Sequence, residues 1–219
     1  TTAYCSFVNG GKLVDPILID RIQDSEGNTI FKNEKRICDN CDQISFNGTK
    51  IPKIKSNFKK IFSPQTAYQM TSILEGVIKR GTGRSLRDLN LQIAGKTGST
   101  NKNTDAWFIG FTSNLVVGVY VGHDKPKSLG KIETGSRVAI PIFKEFVKNA
   151  VNNYEARPFK VAKGIKMMVV DSITGKKVDF GSKKTIIESF KKEKIENILN
   201  IGIDDLNYNN SKNNILKFY

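Results

Sequence analysis

Apolar positions along the chain change period several times, and each change predicts an element. Ala67, Met70, Ile73, Leu74, Val77 and Ile78 recur at the spacing of one helix face. Ser63 supplies a cap ahead of them, Pro64 suits the first helical position and Gly81 ends the run. Downstream the period falls to two. Leu91 and Ile93 alternate with Gln92 and Ala94, and Trp107, Ile109 and Phe111 alternate with Ala106, Phe108 and Gly110. After a turn at Ser113-Asn114, the run Leu115 to Gly122 is almost wholly apolar and β-branched. Links this short predict antiparallel neighbours, because a parallel pair needs a crossover of roughly a dozen residues. Ile140 to Asn152 returns to helical spacing, with Pro141 in the first turn and Ile142, Phe143, Phe146, Val147, Ala150 and Val151 on one face. Gly110, Gly118 and Gly122 offer a flat surface on which that face would pack.

The flanks are less regular. Thr1 to Gly11 reads as the last turns of a helix closed by glycine, so the chain is expected to begin inside an element. Ile17 to Asp24 and Thr29 to Lys32 form a predicted hairpin around Ser25-Glu26-Gly27-Asn28, and Asn33 to Ile61 is polar and irregular. Beyond Tyr154, Ile165 to Val170 and Lys176 to Phe180 flank the turn Ser172-Ile173-Thr174-Gly175, and the end, rich in Lys and Asn, predicts a flexible polar tail. The pattern as a whole is α+β, an antiparallel sheet covered by helices, with the main domain over residues 1–154 and an extension over 155–219.

Composition narrows the function without naming it. A chain of 219 residues, 38% hydrophobic and 26% charged, buries a sizeable core. No apolar run approaches the roughly 18 residues of a membrane span, and no signal peptide is visible. The formal charge of +14 would suit nucleic acid, anionic lipid or an anionic substrate. The lysines are scattered, however, with no finger spacing and no basic stripe interleaved with aromatics, so no nucleic-acid partner is expected. A genome rich in A and T accounts for the abundance of Lys, Asn, Ile and Phe. Cys38 and Cys41 form one C-x-x-C, and a zinc ribbon would need Cys5 and His123 to supply both missing ligands, so neither metal nor cofactor is expected. The pair is either reduced and inert or, in an oxidising compartment, a local disulfide with Cys5 left over.

The candidate chemistry lies between Ile93 and Phe111. Gly95-Lys96-Thr97 has the letters of a phosphate-binding loop, but Asn90 stands where that loop needs a glycine. The lead-in Ser85 to Asn90 is too polar for a buried strand, and Gly98 to Asn103 reads as a turn rather than a helix start. At the end of a strand on an exposed edge, the same residues suit another task. Lys96 is a positive charge beside a cleft, Thr97 adds a hydroxyl, Gly98 admits a second backbone, and the Ser99 N–H is free to meet a carbonyl oxygen. Together they make half of an acyl-transfer site.

Lys96-Thr97-Gly98 resembles K-T-G, the third motif of the penicillin-recognising serine enzymes, whose first two are S-x-x-K and S-x-N or S-D-N. Around it, Ser63-Pro64, Tyr68-Gln69-Met70, Leu74-Glu75-Gly76-Val77, Arg80-Gly81-Thr82-Gly83, Asp105 to Phe111, Val119-Tyr120-Val121-Gly122 and Pro141-Ile142-Phe143 follow in order. Over roughly residues 1–180 the chain resembles the C-terminal half of the transpeptidase domain of bifunctional, class A penicillin-binding proteins.

That resemblance implies a peptidoglycan synthase. Its D,D-transpeptidase acylates a serine with the penultimate D-alanine of a D-Ala-D-Ala stem peptide, releases the last D-alanine and cross-links a neighbouring strand. β-Lactam antibiotics acylate the same serine. Lys96 and Thr97 would hold the substrate's terminal carboxylate, with Gly98 lining the edge, and Ser99, where the family has Thr, would give one oxyanion donor. Lys96 would also help to move protons through the serine of the second motif. The likeness further implies an upstream glycosyltransferase and membrane anchor, and residence at the periplasmic face of the bacterial inner membrane. Asp105, Trp107 and the Gly81-Thr82-Gly83 loop match as well and read as structural.

The first two motifs belong upstream of Thr1, so the nucleophile is expected outside this chain and the chain alone is expected to be inactive. Ser56, Ser128 and Ser189 each open an S-x-x-K, and Ser45-Phe46-Asn47 spells S-x-N, but none starts a long helix with an apolar face. Two alternatives stand beside the transpeptidase: a non-catalytic remnant of one, and a β-lactamase-like serine hydrolase.

Overall fold

Short-range rules shape the first elements of the structure, a computed structural model that describes residues 1–33, 37–41, 48, 51–55, 58–151, 157–178, 181 and 184–195. The helix α1 (Thr2–Val8) stops at Asn9, after which Gly10 and Gly11 take left-handed φ angles of 80° and 93°. The carbonyl of Phe62 presses so closely on Gly11 that a side chain there would collide with it.

Two antiparallel hairpins follow, β1 (Arg21–Gln23) with β2 (Thr29–Lys32) and β3 (Ile37–Asp39) with β4 (Lys53–Lys55). The first is shorter than predicted, because Ile17, Leu18 and Ile19 lie outside it and are exposed. The second corrects the expectation of irregular chain from Asn33 to Ile61. Its strands have three residues each and carry Asp39, Lys53 and Lys55, too short and too polar to show a period of two. A disulfide joins Cys38 to Cys41 across 5.7 Å between Cα atoms, and Cys5 is unpaired. Of the two states open to the C-x-x-C, the structure has the oxidised one.

The helix α2 (Pro64–Arg80) forms as its local signals require. The Ser63 hydroxyl accepts from the Thr66 N–H at 3.1 Å and Pro64 occupies the first turn. Ala67, Thr71, Leu74, Gly76 and Ile78 face inward, whereas Ile73, predicted on that face, is 51% exposed. A 3-10 turn (Arg84–Leu89) then leads to the central sheet, β5 (Ala94–Ser99), β6 (Asp105–Phe111) and β7 (Val116–Gly122), antiparallel in the order β5-β6-β7. Thr97 pairs with Phe108, and Phe108 with Val119.

Side chains alternate across a sheet, so Phe108 and Phe111 emerge on opposite faces. Phe108 meets Phe143 of α3 (Ile140–Ala150) edge to face, with ring centroids 4.8 Å apart, inside a cluster that also holds Ile78, Leu86, Ile93, Ile140 and Val147. Phe111 packs with Leu74, Tyr4 and Phe159. Two sequence expectations change here. Only Gly110 lies under α3, with the Phe143 ring over it, because Gly118 pairs with Ile109 on the other face. Half of the α3 stripe is also open to solvent, Ile142 at 51% and Phe146 at 50%, because the sheet contacts a narrower arc than the apolar residues span.

The chain divides into two compact units, Thr1–Lys160 and Val161–Tyr219. In the second, β8 (Ile165–Asp171) pairs along its whole length with β9 (Thr185–Lys191). The sequence pairs it instead with Lys176 to Phe180, of which only an isolated bridge between Val170 and Lys177 is found; residues 179–180 and the expected tail beyond 195 lie outside the described residues. Among the described residues no helix is long and apolar enough to cross a membrane.

Candidate active site

β5 is built of Ala94-Gly95-Lys96-Thr97-Gly98-Ser99, residues chosen for smallness and chemistry rather than strand propensity. A Cβ at Gly95 would come within 2.7 Å of the Ile109 carbonyl oxygen and 2.8 Å of the Phe108 ring. The four predicted site residues are the last four of β5, which starts later than the sequence suggests, since Leu91 and Ile93 precede it. Among the described residues β6 is the only strand beside β5, so its other side is an open edge.

The direction of the backbone along that edge follows from one hydrogen bond. Thr100 donates its N–H to the Asp105 carbonyl at 3.2 Å, toward β6. Amide directions alternate along a strand, so the N–H groups of Gly98 and Lys96 also face β6, and those of Ser99 and Thr97 face the open side. Lys96 is exposed, and its ammonium donates to the Thr97 carbonyl at 2.9 Å, one of three donors it carries.

Two further contacts hold the motif in place, and a cluster at Asp105 orders the connection that follows it. The hydroxyls of Thr82 and Thr97 are hydrogen-bonded at 2.9 Å. Gly135, at the start of a π-helical turn (Gly135–Ala139), donates its N–H to the Ser99 hydroxyl at 3.0 Å. Asp105, directly after the β5–β6 connection, gathers three hydroxyls: Tyr120 donates to Oδ1 at 2.9 Å, and Thr100 and Thr104 to Oδ2 at 3.1 and 3.0 Å. The Tyr120 bond, with those from Thr104 and Thr100, holds the Asp105 carboxyl below its ordinary pKa, and the same bond raises that of the Tyr120 phenol.

Asp105, expected in a turn, is instead the first residue of β6 and pairs with Gly122 of β7. Trp107 is not the core aromatic expected: it is 42% exposed and packs on Tyr120 at 4.5 Å between centroids. Gly135 carried no signal beyond the run of small residues Thr134-Gly135-Ser136 ahead of a helix. Of the serines that open an S-x-x-K, Ser128 lies in an exposed loop and Ser189 in β9, and neither opens a helix; Ser56 and the Ser45-Phe46-Asn47 tract fall outside the described residues. No cluster of three or more His, Cys, Asp or Glu side chains able to hold a metal occurs among the described residues.

Residues 1–148 match the family described as the penicillin binding protein transpeptidase domain. Penicillin-binding protein 1A of Rickettsia typhi is 44% identical over 202 residues, which cover 91% of this chain and 25% of that protein. The protein of the same name from Rickettsia conorii is 41% identical over 220 residues, covering 100% of this chain and 27% of its own length. The chain thus spans about a quarter of the curated relatives it matches. Among solved structures, penicillin-binding protein 1A from Haemophilus influenzae superimposes with a TM-score of 0.68 at 26% identity, covering 87% of this chain and 31% of that one. A small-residue strand with one open edge, in a fold shared with these proteins and with the family match running through it, places the chain in the family of penicillin-binding transpeptidase domains.

Proposed function

We propose that β5 is the carboxylate-binding and oxyanion-binding edge of a peptidoglycan D,D-transpeptidase. The Ser99 amide, directed to the open side of an edge strand that also carries Lys96 and Thr97, is the observation that carries this reading. An extended stem peptide lies along the edge, its terminal carboxylate against the Lys96 ammonium and the Thr97 hydroxyl. The acyl D-alanine carbonyl then faces the Ser99 N–H. Gly98 keeps the approach clear.

The reaction is acyl transfer through a serine supplied by the region upstream of Thr1. Its hydroxyl oxygen attacks the carbonyl carbon, the proton passes to a lysine base of the first motif, and the oxygen's developing charge is met by the Ser99 amide. Collapse breaks the C–N bond and expels D-alanine, which takes up the proton. The amine of a second stem peptide attacks the ester in turn and restores the serine. A β-lactam follows the first half of this path, its carboxylate standing in for that of the terminal D-alanine. The parent protein would carry a glycosyltransferase region and a membrane anchor and work at the periplasmic face of the inner membrane.

In the full-length protein, Lys96→Ala should slow acylation by a labelled penicillin about 100-fold, because charge, hydrogen bonding and orientation are lost together. Acylation at the wild-type rate would falsify the assignment.

A further inference from the structure

The loop between α2 and the 3-10 turn holds Thr82 more tightly than a connection requires. The N–H groups of Gly81 and Gly83 both donate to the Val77 carbonyl at 3.0 Å, so the chain folds back onto the last turn of α2 on either side of Thr82. A side chain at Gly81 would press on backbone, and one at Gly83 would have to displace the end of the Ile78 side chain. A Cβ at Gly81 would stand 2.9 Å from the Val77 carbonyl oxygen, and one at Gly83 would stand 2.5 Å from the Ile78 side chain. The residue between them is exposed, yet its hydroxyl reaches Thr97 on β5, fifteen residues along the chain, at 2.9 Å.

We infer that Thr82 is a positioning residue, which donates its proton to Thr97 and thereby commits the Thr97 hydroxyl to donate to the substrate's carboxylate. This rests on the function proposed above. A threonine hydroxyl has one proton and two acceptor lone pairs. Either member of the pair could be the donor when they are alone, but only one arrangement survives carboxylate binding. An ionised carboxylate accepts and does not donate, so Thr97 gives its proton to the anion and must accept from Thr82. That bond fixes the Thr97 rotamer before substrate arrives and polarises its O–H toward the anion. Thr82 touches no reacting atom, so its contribution lies in recognition of the carboxylate rather than in bond making.

The test uses the full-length protein and two acylating probes, benzylpenicillin and its methyl ester, which lacks the anionic carboxylate. Thr82→Val keeps the shape and removes the hydroxyl. It should lower acylation efficiency for the free acid by up to about tenfold, the upper end for one hydrogen bond between neutral groups, through a raised dissociation constant and an unchanged rate at saturation. The ester reaction should be unaffected, the melting temperature unchanged, and Thr82→Ser should restore the acid reaction. Equal losses for acid and ester, or no loss for either while Lys96→Ala is impaired, overturn the inference about Thr82. A Lys96→Ala protein that acylates normally removes the carboxylate-binding reading itself, and with it the premise for Thr82.

Discussion

The amide of Gly135 donates to the hydroxyl of Ser99 at 3.0 Å, across a separation of 36 residues. The same glycine lies so close to β5 and β6 that a Cβ on it would collide with the Trp107 carbonyl oxygen and come within 2.7 Å of that of Gly98. Gly135 does not need glycine for its backbone angles, since it is not among the residues with positive φ. It needs glycine for space. Gly135→Ala should therefore displace Gly98 and Ser99, destabilise the full-length protein by about 1–3 kcal/mol as overpacking does, and slow acylation of benzylpenicillin and its methyl ester alike. A variant that melts and acylates like wild type would show that the turn at Gly135 yields without moving β5.

The Asp105 carboxyl titrates below its ordinary range, chiefly because Tyr120 donates to it, with Thr104 and Thr100 adding to the effect. A carboxyl lowered in the folded state contributes stability that is fully present above the unfolded value and is lost as pH falls through the folded one. Asp105→Asn should accordingly lower the melting temperature near neutrality, and the gap to wild type should close as the pH falls below about 4. Melts recorded over that range check the sign. A gap that widens in acid would contradict it.

Phe143 fills the space above Gly110 and beside Phe108, and it is fully buried. Phe143→Ala should cost about 3–5 kcal/mol, the range for removing a buried aromatic ring, whereas Phe146→Ala, one turn along α3 and half exposed, should cost well under half of that. Denaturant unfolding of the two variants tests which arc of α3 carries the packing.

Residues 1–219 expressed as a separate chain should form no covalent adduct with a fluorescent penicillin. Ser128 lies in an exposed loop and Ser189 inside β9, so neither opens a helix that would hold its serine beside the lysine of an S-x-x-K motif. Intact-mass detection of a stoichiometric adduct on either serine would mean that the nucleophile lies within these residues after all.

How much of this was legible depends on the range of the interaction concerned. α2 was readable nearly residue by residue, since Ser63, Pro64 and Gly81 act within one turn of the helix ends they define. The order of β5, β6 and β7 followed from the short links between them. The position of β5 did not, because Ala94, Gly95 and Gly98 are poor strand formers held in the sheet by what presses on them, and Leu91 and Ile93 misled by being apolar just ahead of it. Chemistry was easier to see than geometry. Lys96, Thr97 and Ser99 could be singled out by residue type, but the contacts that orient them come from Thr82 and Gly135, brought near only by the fold. The partner of β8 failed for the same reason: a turn at Ser172 to Gly175 is a local signal, while pairing with Thr185 to Lys191 is not.

The Cys38–Cys41 bridge spans a sequence separation of only three residues. A link that closes so small a ring withdraws little freedom from the unfolded chain, since that effect grows with the length of chain enclosed. It belongs to a hairpin whose strands are exposed or half-buried and carry none of the residues that build the two cores. Oxidation and folding are therefore separable in this protein: the sheet that bears Lys96 would form in a reducing cytosol as readily as outside it. A reduced sample should melt at the same temperature as an oxidised one, with the difference confined to amide exchange near Cys38 and Cys41.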